Sequence, residues 1–467
     1  MNKLLKFINK DIKLPKLSVK QVIYPIALIL SINIIFLFFY YYLGFKRTLF
    51  NTDYLWPILL LSIPWRPVKW VASILLAAYC CIDIIVLLLG IFPFLDFQAI
   101  IYLAPFIFDA PPMYIWTIVI ICISLILICF GFIKFSYKIS FYGTLIVVLC
   151  MAFLANTWGY IIYYRTELGF FGETSADLAS SQYANIKIHL GSDFLDISKI
   201  KPEFTPTKYL AASQKIKATD SKKLLLIVNE SWGSPRNDRV QQDILMNILN
   251  NSSVSYLEYG ENDFVGATVE GEFRELCQLS VSSYGFRYSE DHEFLGCLPL
   301  FFQKKGYRTV AMHGNSGGLY DRFSWYKKVG FQKILFREDI PADLPHCHAF
   351  RGICDSALFK IVEEYFSSDK PIFMYWLTLT SHSPYSEKDI LQKRIDCLKY
   401  EIPEGAICNN LQLQAQFFDQ LAELIKRPGM KDSEIIVVGD HQPPSFKLED
   451  RRVTKLAKIG WLYLKVK

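Results

Sequence analysis

The chain has 467 residues, of which 52% are hydrophobic and 20% are charged. This composition is too apolar for a disordered chain or an ordinary soluble protein, and the length would suit about three domains of roughly 150 residues. The net charge of +6 does not indicate a nucleic-acid partner, because six lysines lie within the first twenty residues. A basic segment that flanks a membrane explains this charge better.

Nearly all long apolar runs lie before about residue 165, and they predict membrane spans. Residues 22–44 carry no charge and are long enough to cross about 30 Å of hydrocarbon. The second run is short and contains Pro57 and Pro64, so it is the weakest of the set. Residues 97–108 are apolar but suit an interfacial or re-entrant segment better than a span. The five predicted spans are 22–44, about 51–65, about 68–94, about 112–133 and about 141–163.

The charges that flank the spans predict the orientation. The lysine-rich start should be cytoplasmic, and five spans then place everything after about residue 165 outside the cytoplasm. Lys46 and Arg47 run against this rule, since they fall on an outer loop. Asp83 lies inside the third predicted span. It is either a functional ionisable group or one partner of a hydrogen bond between helices.

The eleven cysteines divide between the two halves of the chain. Five lie in the predicted spans, where they act as small apolar residues. The other six allow fifteen connectivities, and we expect neighbours in sequence to pair, because short loops close most easily. An even number in an oxidising compartment favours disulfides over metal binding. The expected pairs are Cys277 with Cys297, Cys347 with Cys354, and Cys397 with Cys408.

After a predicted linker at 166–220, the chain alternates strand and helix patterns to its end at residue 467. Continuous apolar runs that end in polar residues are typical of buried parallel strands. Such runs occur at 224–230, 308–314, 371–382 and 434–441, with helical patterns at 239–250, 355–366 and 411–427. The fold class is therefore an α-helical membrane domain over 1–165, followed by an α/β domain over 221–467 with a mainly parallel central sheet.

Metal-type ligands follow four of these strands. Open α/β sheets bind small molecules and ions at the carboxyl ends of their strands, so we expect these metal-binding side chains to converge there. Carboxylates with imidazole suit Zn²⁺ or Mn²⁺, and Mg²⁺ is also possible. Each residue alone has a simpler explanation, a helix N-terminal acid for the glutamate and a loop position for a histidine. The four positions are Glu230, His313, His382 and the pair Asp440–His441.

Thr268 follows a strand-like stretch, in the string GATVEGEF. A neighbouring dication would allow its alkoxide to attack phosphorus. The alternative is a helix N-cap, with Glu272 four residues later.

At these residues the chain resembles the membrane-bound phosphotransferases of the alkaline-phosphatase/sulfatase superfamily. These are the lipoteichoic acid synthases and the phosphoglycerol and phosphoethanolamine transferases. Asn229-Glu230-Ser231, Thr268 and Asp440-His441 in GDHQPP match metal-ligand and nucleophile positions. The resemblance implies that Glu230, Thr268, Asp440 and His441 bind the metal. It assigns phosphate or head-group contacts to His313, Tyr320, Arg322 and His382. Simpler roles are packing for Tyr320 and an ion pair with Asp321 for Arg322.

The resemblance further implies a bacterial inner-membrane enzyme with its catalytic domain in the periplasm. It would transfer a phospholipid head group through a phospho-threonine to an envelope glycan or lipid. The stretch after Thr268 lacks the Pro-Cys usual in the phosphoethanolamine branch, which favours phosphoglycerol and phosphatidylglycerol as donor. A phosphoethanolamine transferase, a phosphoester hydrolase and a non-catalytic binding protein are the rivals. Only 26 residues follow His441, fewer than a closing strand and helix of the family would need.

Overall fold

A computed structural model describes residues 18–45, 47–92, 97–108, 112–163, 179–184 and 201–467. The chain divides into two compact units, residues 1–90 with 117–193 and residues 91–116 with 194–467. Each unit has its own hydrophobic core. The predicted domain boundaries at 165 and 220 remain predictions.

The apolar half of the chain is helical. Three of its helices, over Val19–Tyr42, Arg66–Ile91 and Tyr114–Ser136, are long and apolar enough to cross a membrane. They correspond to three of the five predicted spans. The predicted span 141–163 is a helix throughout, with an apolar part at Phe141–Ala155 that is shorter than these three. The helices in chain order are α1 Val19–Tyr42, α2 Leu55–Leu61, α3 Arg66–Ile91, α4 Phe97–Leu103, α5 Pro112–Ser136 and α6 Phe141–Tyr163.

The second predicted span, 51–65, does not have the structure expected of a span. It contains a 3₁₀ turn at Thr52–Tyr54 and the seven-residue helix α2. At 1.5 Å per residue, α2 is only about 10 Å long, too short to cross a bilayer. The residues before it form strand β1 (Phe50–Asn51), which pairs in parallel with β2 (Ala179–Ser180).

Asp83 on α3 is the centre of a buried polar network in the first unit. Arg47 donates to both of its carboxylate oxygens, each at 2.8 Å. The Asn51 amide and the Tyr54 hydroxyl donate to the same carboxylate, and Tyr40 donates to the Asp83 carbonyl at 2.9 Å. Arg47 is thus a buried ion-pair partner, which explains its departure from the charge rule. Lys46 lies outside the described residues.

The second unit contains an eight-stranded mixed sheet. The strands of this unit are β3 Phe204–Pro206, β4 Lys223–Asn229, β5 Gly233–Pro235, β6 Val254–Asp263, β7 Leu279–Val281, β8 Arg308–His313, β9 Lys333–Leu335, β10 Ile372–Leu377, β11 Ser433–Gly439 and β12 Thr454–Val466. Its remaining helices are α7 Asp238–Leu249, α8 Thr268–Cys277, α9 Leu298–Lys304, α10 Arg322–Lys328, α11 Asp355–Phe366, α12 Ala406–Leu424 and α13 Leu448–Arg451.

The strand order is β5-β12-β11-β4-β10-β8-β9, and β6 also pairs with β12. The strands from β11 to β9 run parallel, as predicted, whereas β12 runs antiparallel to β11, β5 and β6. The residues after His441 therefore close the sheet with the short helix α13 and one long antiparallel strand.

Alternate residues of the central strands fill two cores, one on each face of the sheet. In β4, Leu225 and Ile227 belong to one core and Leu224, Leu226 and Val228 to the other. Because both faces are covered, successive residues in the middle of these strands are apolar, as in Leu224–Val228, which is the pattern that predicted them.

The three expected disulfides, Cys277–Cys297, Cys347–Cys354 and Cys397–Cys408, are confirmed.

Candidate metal centre

The sheet register brings two predicted ligand positions together. Asn229 at the end of β4 lies beside Gly439 at the end of β11. The next residues, Glu230 and Asp440, therefore leave neighbouring parallel strands at the same edge. The ligand atoms of Glu230, Asp440 and His441 all lie within 4.8 Å of one another. These three residues are called the ligand cluster below.

The backbone of Glu230 is held by three side chains. Its N–H donates to Thr378 Oγ1 at 2.8 Å, and its carbonyl accepts from Gln414 Nε2 at 2.9 Å and Ser381 Oγ at 2.7 Å. Ser231 follows in a left-handed conformation, with φ of 54°. This turn directs the Ser231 N–H to Asp440 Oδ1 at 2.7 Å. The ends of β4 and β11 are thus joined by a hydrogen bond between Ser231, the residue after Glu230, and Asp440.

The Asp440 carboxylate has one satisfied oxygen and one unsatisfied oxygen. Oδ1 accepts from the N–H groups of Ser231 and His441, both at 2.7 Å. Oδ2 is buried and makes no hydrogen bond with any residue in the described part of the chain. Buried polar atoms normally have partners, so an unsatisfied carboxylate oxygen within a cluster of ligands fits a missing cation.

The His441 ring is oriented with Nε2 toward the carboxylates. Nδ1 lies 2.9 Å from the Gln442 carbonyl, which can only accept, so Nδ1 carries the proton in the neutral ring. Nε2 lies 3.3 Å from Asp440 Oδ2 and 3.6 Å from Glu230 Oε1. A carbonyl that fixes one ring nitrogen while the other faces a ligand site is the usual arrangement of a metal-binding histidine.

Electrostatics support the same conclusion. Burial and the neighbouring Glu230 carboxylate raise the pKa of Asp440 to about 7. Burial opposes the charged form of His441, yet the Asp440 and Glu230 carboxylates raise its pKa above the ordinary value. Two carboxylates buried side by side repel each other, and a divalent cation would relieve that repulsion.

Thr268 is placed at the ligand cluster. Its Oγ1 lies 3.5 Å from Glu230 Oε2 and 3.5 Å from His441 Nε2. The predicted alternative, a helix N-cap with Glu272, is wrong. Ala267 is the N-cap residue of α8, and its N–H donates a hydrogen bond to the Glu270 carboxylate. The Thr268 hydroxyl is therefore not used as a cap and is directed at the ligand cluster.

Helix α8 approaches the Asp440 loop closely because Gly271 has no side chain. A Cβ at this position would lie 3.0–3.2 Å from the Asp440 backbone and Cβ. Arg274, one turn further, donates to the Gly439 carbonyl at 2.8 Å. The helix that carries Thr268 is therefore anchored to the strand end that carries Asp440.

His382 lies five residues beyond β10, in a loop rather than at the strand end. The Asp355 carboxylate holds this loop by accepting from Leu379 N at 3.0 Å and Thr380 N at 2.7 Å. The His382 Nδ1 lies 2.6 Å from the Ser383 carbonyl. Burial lowers the pKa of His382, and the charges of His441 and Asp440 also act on it. His382 is thus a neighbour of the ligand cluster.

Residues 313–322 are called the head-group segment below, because the resemblance assigns head-group contacts to several of them. This segment begins at the end of β8. His313 is the last residue of this strand, and its Nδ1 lies 3.0 Å from the Leu377 carbonyl. Burial places its pKa well below the ordinary value, so the ring is neutral. Tyr320 is buried, and the Arg322 guanidinium lies 5.1 Å from its ring centre.

Arg322 does not pair with Asp321. Its Nε and Nη2 both donate to Glu272 Oε2, at 2.9 and 2.7 Å, and both side chains are almost fully buried. Asp321 instead pairs with Arg287 at 2.8 Å. The sequence indicated Glu272 only as a capping residue and did not identify it as the partner of Arg322, although its position one turn after Thr268 placed it on the same helix face.

Two strings match other nucleophile patterns by spacing alone. Gly314-Asn315-Ser316-Gly317-Gly318 fits Gly-x-Ser-x-Gly, and Ser62 begins a Ser-x-Pro-x-Arg string of the sulfatase type. The Ser316 hydroxyl accepts from Gly318 N at 3.2 Å, and the Ser62 hydroxyl donates to Leu59 O at 2.6 Å. Neither serine hydroxyl bonds a histidine in the described structure, so Thr268 remains the nucleophile candidate.

Residues 259–455 match the family described as Sulfatase. This part of the chain is therefore a sulfatase-like domain. The match includes Thr268, Asp440 and His441, whereas Glu230 precedes it. The resemblance stated from the sequence is therefore confirmed. Members of this family depend on a metal ion, and the ligand cluster with Thr268 offers a suitable donor set.

Two curated relatives match part of the chain. A Rhizobium meliloti protein named for cyclic beta-1,2-glucan modification is 27% identical over 194 residues, covering 39% of this chain and 29% of its own length. A lipoteichoic acid synthase of Staphylococcus aureus is 26% identical over 190 residues, covering 38% and 28%. The chain thus spans less than a third of the length of either relative.

Solved structures with similar domains are more distant in sequence. The lipoteichoic acid synthase LtaP of Listeria monocytogenes is 18% identical, with a TM-score of 0.40 over 54% of this chain and 70% of that one. The phosphoglycerol transferase GacH of Streptococcus pyogenes is 16% identical, with a TM-score of 0.40 over 56% and 77%. These values are too low to transfer a substrate to the sulfatase domain.

Proposed function

We propose that this chain transfers a phospholipid head group, with phosphoglycerol favoured over phosphoethanolamine, to a hydroxyl of an envelope glycan or lipid. The observation that carries the proposal is the position of Thr268, whose hydroxyl lies 3.5 Å from both Glu230 and His441. A hydroxyl at the first position of a helix and beside metal-type ligands suits attack on a phosphoryl group.

The ion would be held by Glu230, Thr268, Asp440 and His441. A bound divalent cation would favour the alkoxide form of Thr268 and neutralise charge on the phosphoryl oxygens. Zn²⁺ and Mn²⁺ suit this mixture of carboxylate and imidazole, and Mg²⁺ is the third candidate.

The reaction would proceed in two steps at phosphorus. Thr268 Oγ forms a bond to phosphorus as the bond to the diacylglycerol oxygen breaks, and the proton lost by Thr268 balances the proton gained by diacylglycerol. The phospho-threonine is then attacked by an acceptor hydroxyl, whose proton returns to Thr268. One difficult displacement becomes two easier ones.

His382 suits the movement of these protons. Its Nδ1–H is directed at the Ser383 carbonyl, so the neutral ring presents Nε2 as a proton acceptor. The lowered pKa, caused by burial, keeps the ring neutral before the reaction. We therefore assign His382 to receive a proton first and to donate it to the departing alkoxide afterwards.

The head-group segment would bind the donor. His313 and Tyr320 are part of this segment, and Arg322 adds a positive charge to it. The Nε and Nη2 groups of Arg322 already donate to Glu272. A planar guanidinium beside an aromatic ring suits a phosphate with a small polar head group. Phosphoglycerol is favoured because a lipoteichoic acid synthase is among the curated relatives.

The proposed location is the bacterial inner membrane, with the sulfatase domain in the periplasm. The three helices of crossing length support a membrane protein. The three disulfides of the second unit support an oxidising compartment for that unit.

The test uses full-length protein in detergent with fluorescent phosphatidylglycerol and, in parallel, phosphatidylethanolamine. We expect metal-dependent release of diacylglycerol from one lipid, abolished by EDTA and reduced about 10³-fold or more in Thr268→Ala. Thr205→Ala, an exposed threonine of β3, is the matched control and should behave as wild type. Mass spectrometry of the Thr268 peptide should detect the transferred group.

Acceptor dependence separates transfer from hydrolysis. Transfer predicts a modified glycan or lipid when acceptor is added, whereas a hydrolase would release the free head-group phosphate at the same rate without it. Release from neither lipid by a protein that purifies with stoichiometric metal would refute the lipid-donor mechanism. A protein that binds no metal would point to the non-catalytic rival.

A further inference from the structure

The short helix α4 and the 3₁₀ turn Ala104–Phe108 lie in the chain between two apolar helices, α3 and α5. Residues 91–116 nevertheless group with the second unit. Ala99 on α4 is fully buried in one of the two cores of that unit. The segment predicted as interfacial or re-entrant therefore packs as part of the sulfatase-domain unit.

Tyr102 on α4 joins a stack of three tyrosine rings. It lies 5.5 Å from the ring of Tyr284 and 6.3 Å from that of Tyr320, with an angle of 15° between planes in both cases. Tyr284 and Tyr320 are themselves stacked at 5.7 Å. Tyr320 of the head-group segment is thus packed against a residue that is more than 200 positions earlier in the chain.

The backbone at Tyr320 needs such support. Tyr320 and Asp321 have φ of 56° and 52°, a left-handed conformation that non-glycine residues rarely adopt. Strained positions of this kind persist only where the surrounding structure determines them, and they occur often at ligand sites. The Trp325 indole N–H donates to the Tyr320 carbonyl at 3.0 Å, which fixes the backbone, and the ring stack fixes the side chain.

The same stretch of chain meets two other loops that carry site residues. Phe92, just after α3, lies 6.1 Å ring to ring from Phe446, five residues after His441. The side chains of Tyr114, near the start of α5, and Ser383, next to His382, interact. Phe92, Tyr102 and Tyr114 therefore each contact one of the three loops assigned to the donor site.

We propose that the side chains of Phe92, Tyr102 and Tyr114 form one wall of the donor site, and that Tyr102 is the positioning residue that holds the Tyr320 ring for the lipid head group. This inference rests on the proposed function. Tyr102 acts through Tyr320, so its loss weakens donor binding and leaves the chemistry at Thr268 intact.

The experiment compares full-length wild type with Tyr102→Ala, Tyr102→Leu and Tyr102→Phe. The substrates are fluorescent phosphatidylglycerol and a chromogenic aryl phosphodiester that lacks the glycerol head group. The ring contacts with Tyr284 and Tyr320 are lost in Tyr102→Ala, which predicts a rise in KM for the lipid of about tenfold, with kcat within about twofold of wild type. Tyr102→Leu fills the volume without an aromatic ring and should show the same rise. Tyr102→Phe retains the stack and should match wild type.

Tyr256→Ala is the control, because Tyr256 is a tyrosine of β6, outside the proposed wall, and is 47% exposed. Unchanged lipid KM in Tyr102→Ala and Tyr102→Leu would overturn the proposal. An equal loss on the aryl phosphodiester would also overturn it, since that result marks a general structural defect. A loss in Tyr102→Phe as large as in Tyr102→Ala would exclude the ring stack as the cause. Failure of the proposed function is distinct, since wild type would then release diacylglycerol from neither lipid, or Thr268→Ala would retain the lipid activity, whatever the Tyr102 variants do.

Discussion

Replacement of Glu272 by Gln tests whether the buried ion pair with Arg322 holds the head-group segment to α8. The substitution keeps the shape of Glu272 and removes its charge. Arg322 would then be a cation with only 1% of its surface exposed and no carboxylate at its Nε and Nη2. Tyr326 and Tyr375, whose hydroxyls donate to the same carboxylate, would lose a charged acceptor.

Breaking one side of a buried pair destabilises a protein by about 3–5 kcal/mol, because an uncompensated charge stays behind. For a domain of this size, 1 kcal/mol shifts Tm by about 2–4 °C, so we expect Tm of Glu272→Gln to fall by roughly 6–20 °C. Thermal unfolding followed by intrinsic fluorescence in detergent measures this shift. The double variant Glu272→Leu/Arg322→Met should recover most of it, since it removes both charges.

The control is Glu423→Gln on α12. Glu423 pairs with Lys426 at 2.6 Å, but the two side chains are 68% and 51% exposed. Exposed pairs contribute little, so this Tm should change by no more than about 2 °C. A shift in Glu272→Gln as small as that of the control would refute the reasoning.

Three further predictions follow from single carboxylates. The pKa of Asp440 is raised to about 7 in the folded state, so protonation of Asp440 favours folding. The metal-free protein should therefore lose stability as the pH rises from about 4 to 8. Thermal unfolding in the presence of a chelator measures this loss, and Asp440→Asn should lack the part of it that comes from Asp440. Asp355→Asn should lower the free energy of unfolding by about 1–3 kcal/mol in the same measurement, because an amide cannot replace the carboxylate that accepts hydrogen bonds from the N–H groups of Leu379 and Thr380. An unchanged stability would contradict this role of Asp355. Asp83→Leu should reduce the yield of monodisperse protein, since the buried Arg47 loses its ion-pair partner. The double variant Asp83→Leu/Arg47→Leu should restore the yield. Equal yields for the single and double variants would argue against a role for this ion pair.

The convergence of Glu230 and Asp440 was predictable from local pattern. A fully apolar run that ends in a polar residue marks the end of a buried parallel strand, and such ends meet at one edge of the sheet. The disulfides were predictable for a related reason, since cysteines close in sequence pay the smallest entropy of loop closure. The span at 51–65 failed because apolar composition does not reveal that a helix stops after seven residues.

The partners of Arg322 and Tyr320 were not predictable in this way. Glu272 is 50 residues from Arg322, and Tyr102 is more than 200 residues from Tyr320. No periodicity in the sequence connects such positions. Asp321 was a reasonable partner by proximity in the chain, but the left-handed turn at Tyr320 and Asp321 separates the two neighbouring side chains.

The amino-acid sequence by itself determined most of the apolar helices, the central buried strands, the disulfide pairs and the polar residues at the ends of β4, β8 and β11. These properties depend on residues near one another in the chain, where hydrophobic pattern and backbone geometry act directly. Only the tertiary structure decided how the donor site is built, with Thr268 turned toward Glu230 and His441, Arg322 paired with Glu272, and Tyr102 stacked on Tyr320. Those contacts join distant segments, and they exist because one core of the second unit packs α4, α8 and the head-group segment together.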